Sequence, residues 1–181
     1  MNQRDQNGID GLKDMVEYII DRIPKKYYNI CEIGSFQGES TKIFALFPPI
    51  EQIVCVDPLN WESVKNDPDC KDNKEFFNDI EYRFWENIGI FNNKIRLIRK
   101  TSRNAVGAFP PEFFDFVYID GDHRYEEVVH DIKYWLPTIK KPGYICGHDW
   151  TGRRSVYDAV KSIIGWPDCV FLDSSWCKKV C

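Results

Sequence analysis

Two aspartates and the histidines beside them carry the chemistry this sequence is equipped to do. All three histidines, His123, His130 and His148, fall within one short stretch. His123 follows Asp120 by three residues, and His148 directly precedes Asp149. Carboxylates from two strand ends can hold a hard divalent cation such as Mg2+, with water and substrate oxygens completing the octahedron. Such an ion lowers the pKa of a substrate hydroxyl. An imidazole nearby can then take the proton near neutral pH. A second constellation lies upstream, in Glu32-Ile33-Gly34-Ser35-Phe36-Gln37-Gly38 followed by Asp57. Gly34 permits a tight turn, and Gly38 lets the next helix begin close to a ligand. This is not the G-x-G-x-x-G of a dinucleotide site. An acid followed by Gly-x-x-x-Gly suits a nucleoside carrying an amino acid better than a diphosphate. Asp57, alone at a strand tip, is expected to accept hydrogen bonds from ribose hydroxyls; capping a turn is its plainer role.

These residues need a scaffold that gathers strand ends. Leu12, Met15, Val16, Ile19, Ile20 and Ile23 recur at helical spacing, so 11–23 reads as an amphipathic helix behind a frayed tail at 1–10. Strands are expected at 28–33, 52–56, 95–98, 116–119 and 144–146, with helices at 39–47, 124–136 and 155–164. Lys141-Pro142-Gly143 reads as a turn. Alternating strands and helices call for an α/β fold: three layers, α/β/α, around a mostly parallel sheet. Residues 170–172 and 176–180 leave no room for a helix between them and read as an antiparallel hairpin at the edge. The whole chain, 1–181, reads as one domain. Segment 59–93 interrupts the alternation. It is rich in aromatics (Trp61, Phe76, Phe77, Tyr82, Phe84, Trp85, Phe91) and partly helical near 74–89. It reads as an inserted lid or cap, with a core role or a dimer surface as competitors.

Composition narrows the class. No apolar run spans a bilayer, and the polar N-terminus has no signal-peptide core. A net charge of 24 − 28 = −4 disfavours a nucleic-acid backbone as the main partner. Seven cysteines without a C-x-x-C read as structural thiols in a reducing, cytoplasmic setting rather than as zinc ligands.

The stretch CEIGSFQGEST followed by VCVDP resembles the first two motifs of class I, Rossmann-like S-adenosylmethionine-dependent methyltransferases. FDFVYIDGDHRYEEVVHDIKYWLPTIKKPGYICGHDW resembles the following region of one branch, the small-molecule and sugar O-methyltransferases related to the metal-dependent catechol and caffeoyl type. The resemblance covers residues 28–180. It implies S-adenosyl-L-methionine as cofactor, Mg2+ as a second one, and O-methylation of a small molecule or sugar. It implies that Glu32, Gly34, Ser35, Phe36, Gly38, Asp57, Ser102 and Asp120 form the cofactor site, with Ser35 and Phe36 at the methionine portion and Ser102 near the adenine. It implies Asp120 and Asp149 as metal ligands and His123 as general base. The third ligand departs from the pattern: Trp150 stands where relatives carry Asn, so His148, Asp122 or water must serve.

Plainer roles stand beside these. Asp122 is expected to cap the helix after it. His130 is expected to pack or face solvent. Lys25-Lys26, Lys140-Lys141, Arg153-Arg154 and Lys178-Lys179 read as solvated loop charges. Two rival functions remain: a metal-dependent hydrolase or hydroxylase using the Asp/His cluster, and an S-adenosylmethionine-binding module without turnover.

Overall fold

The computed structural model describes residues 5–66, 72 and 74–181. Five parallel strands form the body of a seven-stranded sheet: β1 (Tyr28–Ile33), β2 (Ile50–Val56), β3 (Ile95–Ile98), β4 (Phe114–Ile119) and β5 (Ile139–Gly147). β6 (Cys169–Val170) and β7 (Trp176–Val180) close one edge as an antiparallel pair. The order is β3-β2-β1-β4-β5-β7-β6. The chain winds outward from β1 in one direction and then restarts at β4 on its other side. A crevice therefore opens between the carboxyl ends of β1 and β4, where strand order reverses.

Side-chain alternation along the strands divides the core in two. Ile30, Ile53, Phe116, Tyr144 and Cys146 face α1 (Gln6–Arg22), α2 (Glu39–Ala45) and α4 (Ile80–Ile88). Their neighbours Cys31, Val54, Val117 and Ile145 face the opposite layer, formed by α5 (Ser102–Ala105), α6 (Tyr125–Trp135) and α7 (Arg154–Ile164). Each fully buried apolar side chain of this size contributes about 1.5–3 kcal/mol. That packing is decisive for α2, whose seven residues are too few to stay helical alone. α1 begins at Gln6, capped by the Asp5 carboxylate accepting from the Gly8 N–H at 2.8 Å. It takes in part of the stretch read as tail; residues 1–4 lie outside the described residues.

Several expectations are corrected. Lys141-Pro142-Gly143 is not a turn before a strand but part of β5, at a register shift against β4. A side chain at Gly143 would meet the Lys140 carbonyl oxygen at 2.4 Å, so the bulge admits only glycine. Lys25 and Lys140 are not solvated loop charges. They converge on buried Asp115 at 2.6 and 3.2 Å, and the Asn29 N–H donates to the same carboxylate at 2.7 Å. This clamp ties the starting ends of the central strands, away from the crevice.

The inserted segment divides its aromatics between two tasks. Phe84 and Ile88 on α4 join the main core. Phe77 on a 3-10 turn (Lys74–Asn78) and Ile80 join Leu59 in a small separate cluster, against which Phe36, Trp61, Phe76 and Val64 of the short α3 (Trp61–Val64) pack. Tyr82 stays exposed.

Candidate active site

The loop after β1 is shaped by its glycines and by one carboxylate. Gly34 has φ +86°, and a Cβ there would lie 2.1 Å from the Asp120 carbonyl oxygen. Only glycine lets the tips of β1 and β4 approach this closely. The next turn is held from β2. Asp57 Oδ2 accepts the Phe36 N–H at 2.9 Å, and Oδ1 accepts the Leu59 N–H at 2.7 Å. Burial raises the Asp57 carboxyl above its ordinary range, while the N–H groups of Leu59, Phe36 and Ser35 oppose the rise. Asp57 thus caps this turn and also lines the cavity. Of the four lone-pair sites on the carboxylate, these three N–H groups leave one for a ligand hydroxyl.

The cavity over these strand tips has a volume of about 460 Å³. That suits a nucleoside-sized guest. Gly34, Ser35 and Phe36 line it from β1, Asp57 from β2, Ser102 from β3, and Asp120 and His123 from β4. Ser63, Val64 and Phe77 of the inserted segment complete one wall. Phe36 stacks on Phe76 at 5.3 Å between ring centres and meets Phe77 edge-on at 5.9 Å. The glycine cradle, a carboxylate at the next strand tip and an enclosed apolar wall fit an adenosyl amino acid.

Three residues expected to touch the cofactor are used otherwise. Glu32 lies on the face of β1 that packs under α2, fully buried, with its two oxygens taken by the hydroxyls of Ser40 and Thr41. It fixes the start of α2 and does not line the cavity. Gly38 also lies outside the wall. A Cβ on it would press Phe84 at 3.1 Å and Ile88 at 3.2 Å, so it makes room for α4. Ser102 does line the cavity, but its hydroxyl donates to buried Asp131 and accepts the Trp135 indole N–H at 2.7 Å. Its hydroxyl proton is thus already committed, leaving at most one lone pair for a ligand.

The Asp/His group assembles at the tips of β4 and β5. His123 Nε2 lies 2.9 Å from Asp149 Oδ2 and 3.6 Å from Asp120 Oδ1. One ligand atom from each of Asp120, His123 and Asp149 falls within 4.8 Å of the others, the only such metal-competent group among the described residues. The set fits a divalent ion. His148, expected as the third ligand, stands outside this trio. Its Nδ1 lies 3.3 Å from Asp149 Oδ1, and its Nε2 lies 3.9 Å from buried Asp173. His123, expected as base, stands inside it. Asp122 accepts the Arg124 N–H at 3.0 Å, capping the turn into α6, and is paired with the Arg124 guanidinium. His130 stacks on Tyr134. Burial works to raise the Asp149 carboxyl, but hydrogen bonds from His123 and His148, with their charge, hold it well below the usual carboxylate range.

The sequence left other wall residues unmarked. Arg103 and Glu127 form a two-pronged ion pair at 2.9 and 3.1 Å across the cavity rim. They come from α5 and α6, and no spacing rule joins positions that far apart. Arg153, read as a solvated charge, donates to Asp149 Oδ2 at 3.1 Å. Its i+4 spacing from Asp149 was the available signal.

Comparison with known proteins agrees with this geometry. A protein-family profile described as a methyltransferase domain matches residues 31–150. The chain belongs to that methyltransferase-domain family, and its fold is the class I, Rossmann-like one. Protein R132 of Acanthamoeba polyphaga mimivirus is 26% identical over 158 residues, which take in 83% of this chain and 65% of the viral protein. This chain thus spans less than two thirds of that relative. The structure of the O-methyltransferase NovP is similar with a TM-score of 0.65 and 16% identity, over 94% of this chain and 78% of that one. Cofactor-bound Rv0187 from MTB gives a TM-score of 0.58 and 14% identity, over 98% and 79%. At these identities the structural likeness is one of fold. No helix among the described residues is long and apolar enough to cross a membrane.

Proposed function

We propose that this methyltransferase acts on a hydroxyl oxygen of a small molecule or sugar. The observation that carries the reading is His123. It is part of the cavity wall, and its Nε2 is 2.9 Å from the Asp149 carboxylate and beside Asp120. A site for O-methylation needs a means of turning an alcohol into an oxyanion next to the methyl donor, and these three side chains supply it. The named activity of NovP, an O-methyltransferase of the same fold, supports the same reading.

S-adenosylmethionine, when bound, supplies an electrophilic methyl group. Gly34 and the 34–38 turn would cradle its amino acid end, and Asp57 its ribose. At the far end, the residues of β4 and β5 deal with the acceptor's proton. The His123 imidazole takes it, with Asp149, 2.9 Å from the ring, stabilising the resulting imidazolium. Asp120, His123 and Asp149 would also be the residues to hold a divalent cation; its charge would lower the hydroxyl pKa, with the proton then leaving to solvent. Holding the oxyanion and the methyl carbon in line accounts for much of the remaining rate. The inserted segment 59–93 serves as the lid: Ser63, Val64 and Phe77 enclose the guest and exclude water.

A panel of phenols, catechols and sugars assayed for S-adenosylhomocysteine release tests the reading. Transfer to at least one hydroxyl class is expected. Cofactor binding with transfer only to nitrogen, or only to RNA, would overturn it.

A further inference from the structure

We propose that Asp131, a buried carboxylate on α6, is a positioning residue that makes Ser102 an obligate hydrogen-bond acceptor, so that the cavity takes a purine bearing a C6 amine and rejects one bearing a C6 carbonyl. This deepens the cofactor assignment of the preceding sections and rests on it. β3 adjoins β2 on the side away from β1. With the amino acid end at Gly34 and the ribose at Asp57, as proposed above, the base falls on the β3 side of the cavity, where Ser102 lies. A hydroxyl has one proton and two acceptor lone pairs. Here the proton goes to Asp131 Oδ1. One lone pair takes the Trp135 indole N–H, a group that can only donate, at 2.7 Å. What remains for a guest is one lone pair, and a guest atom can pair with it only by donating. The adenine C6 amine donates. A carbonyl at the same place would set lone pair against lone pair.

The two partners are placed to hold that polarity. Asp131 and Trp135 stand four residues apart on α6, one turn along the same face, and both are buried. Ser102 opens α5, so the pair also ties that four-residue helix to α6. His130 Nδ1 lies 3.4 Å from the oxygen that accepts the Ser102 proton. Burial raises the Asp131 carboxyl above its ordinary value, and hydrogen bonds from His130 and Ser102 oppose the rise. An ionised carboxylate is acceptor-only, so it cannot turn the hydroxyl around. Asp131 is not among the residues that line the cavity, and it would act on the guest only through Ser102.

The test is calorimetry on the full chain at about pH 8, with S-adenosylhomocysteine and its deaminated counterpart, S-inosylhomocysteine, in which a C6 carbonyl replaces the amine. The parent should bind the amine form about ten-fold or more tightly. Asp131→Asn keeps the volume but offers an NH2 that can donate to Ser102, freeing the hydroxyl proton for the guest. The ratio should fall to about three-fold or less in this variant and in Ser102→Ala. Adding Asp131→Asn to Ser102→Ala should leave the ratio where Ser102→Ala alone puts it. A merely structural role would weaken both ligands alike and leave the ratio unchanged. Equal parent affinity for the two ligands, or an unchanged ratio in Asp131→Asn, would overturn the proposal. Should Asp131→Asn fail to fold, an unchanged ratio in Ser102→Ala overturns it as well. Absence of S-adenosylhomocysteine binding to the parent would instead sink the cofactor assignment beneath it.

Discussion

Gly34 and Asp120 meet so closely at the tips of neighbouring parallel strands that a single methyl group on Gly34 would lie 2.1 Å from the Asp120 carbonyl oxygen. The substitution Gly34→Ala forces two conflicts at once. The backbone at φ +86° is strained for any other residue, at a cost of about 1–3 kcal/mol, and the contact adds to it. Either β1 and β4 separate at their tips or the loop refolds. The expected outcome is loss of measurable S-adenosylhomocysteine binding together with a lower urea midpoint. An Ala variant that binds the cofactor normally would show that the cradle is not where the guest sits.

Asp57 binds the loops after β1 and β2 to one another through two N–H groups. Asn at this position keeps one acceptor and turns an amide NH2 toward the other N–H. Hydrogen bonds to a charged acceptor contribute about 1.5–3 kcal/mol. Affinity for S-adenosylhomocysteine should therefore fall on the order of ten- to a hundred-fold in Asp57→Asn. Calorimetry reads this directly, and an unchanged dissociation constant would refute the role.

Glu32 gives a pH dependence opposite to ordinary acid denaturation. Burial raises its carboxyl above the usual 4.5, and hydrogen bonds from Ser40, Thr41 and Ser35 only partly offset that. The folded chain therefore favours the protonated acid. The stability this provides is complete below the unfolded value and is lost as pH rises through the folded one. The stability of the parent minus that of Glu32→Gln should decrease from about pH 4 to about pH 8. Urea titrations of both proteins measure it; a difference that grows with pH would contradict the assignment.

Phe77 belongs to the small cluster on the inserted segment, apart from the two main cores. Phe77→Ala should loosen that segment locally, with less than about 1 kcal/mol change in global stability. The Michaelis constant for the methyl donor should rise severalfold, and proteolysis within 59–93 should accelerate. A large global loss with an unaltered Michaelis constant would make the segment a structural element rather than a lid.

The strand tips were legible because glycine and aspartate mark them. Gly34, Asp57 and Asp120 each directly follow a β-branched or apolar run, and Asp149 follows one after Gly147-His148. Gly34, Asp57 and Asp120 line the cavity, and Asp149 faces His123 beside it. Glu32 was misplaced by one residue of alternation. It lies within β1, on the face shared with Ile30, and points under α2 rather than out of the strand end. The histidine roles were not legible from adjacency. His148 is next to Asp149 in sequence, yet His123 makes the closer approach, because the chain turns between Asp120 and α6. The Asp115 clamp went unread because Lys25 and Lys140 are far apart in the chain and meet only when β1 and β5 flank β4.

That clamp separates two tasks along β4. Asp115 and Asp120 are five residues apart, roughly 17 Å of extended chain. Lysines latch the sheet at its foot, while substrates would be met at its crown. Changes at the mouth of the crevice leave the latch untouched. Variants at the wall positions Ser63, Val64 and Phe77 can therefore be screened on a scaffold whose anchorage lies at the other end of the sheet.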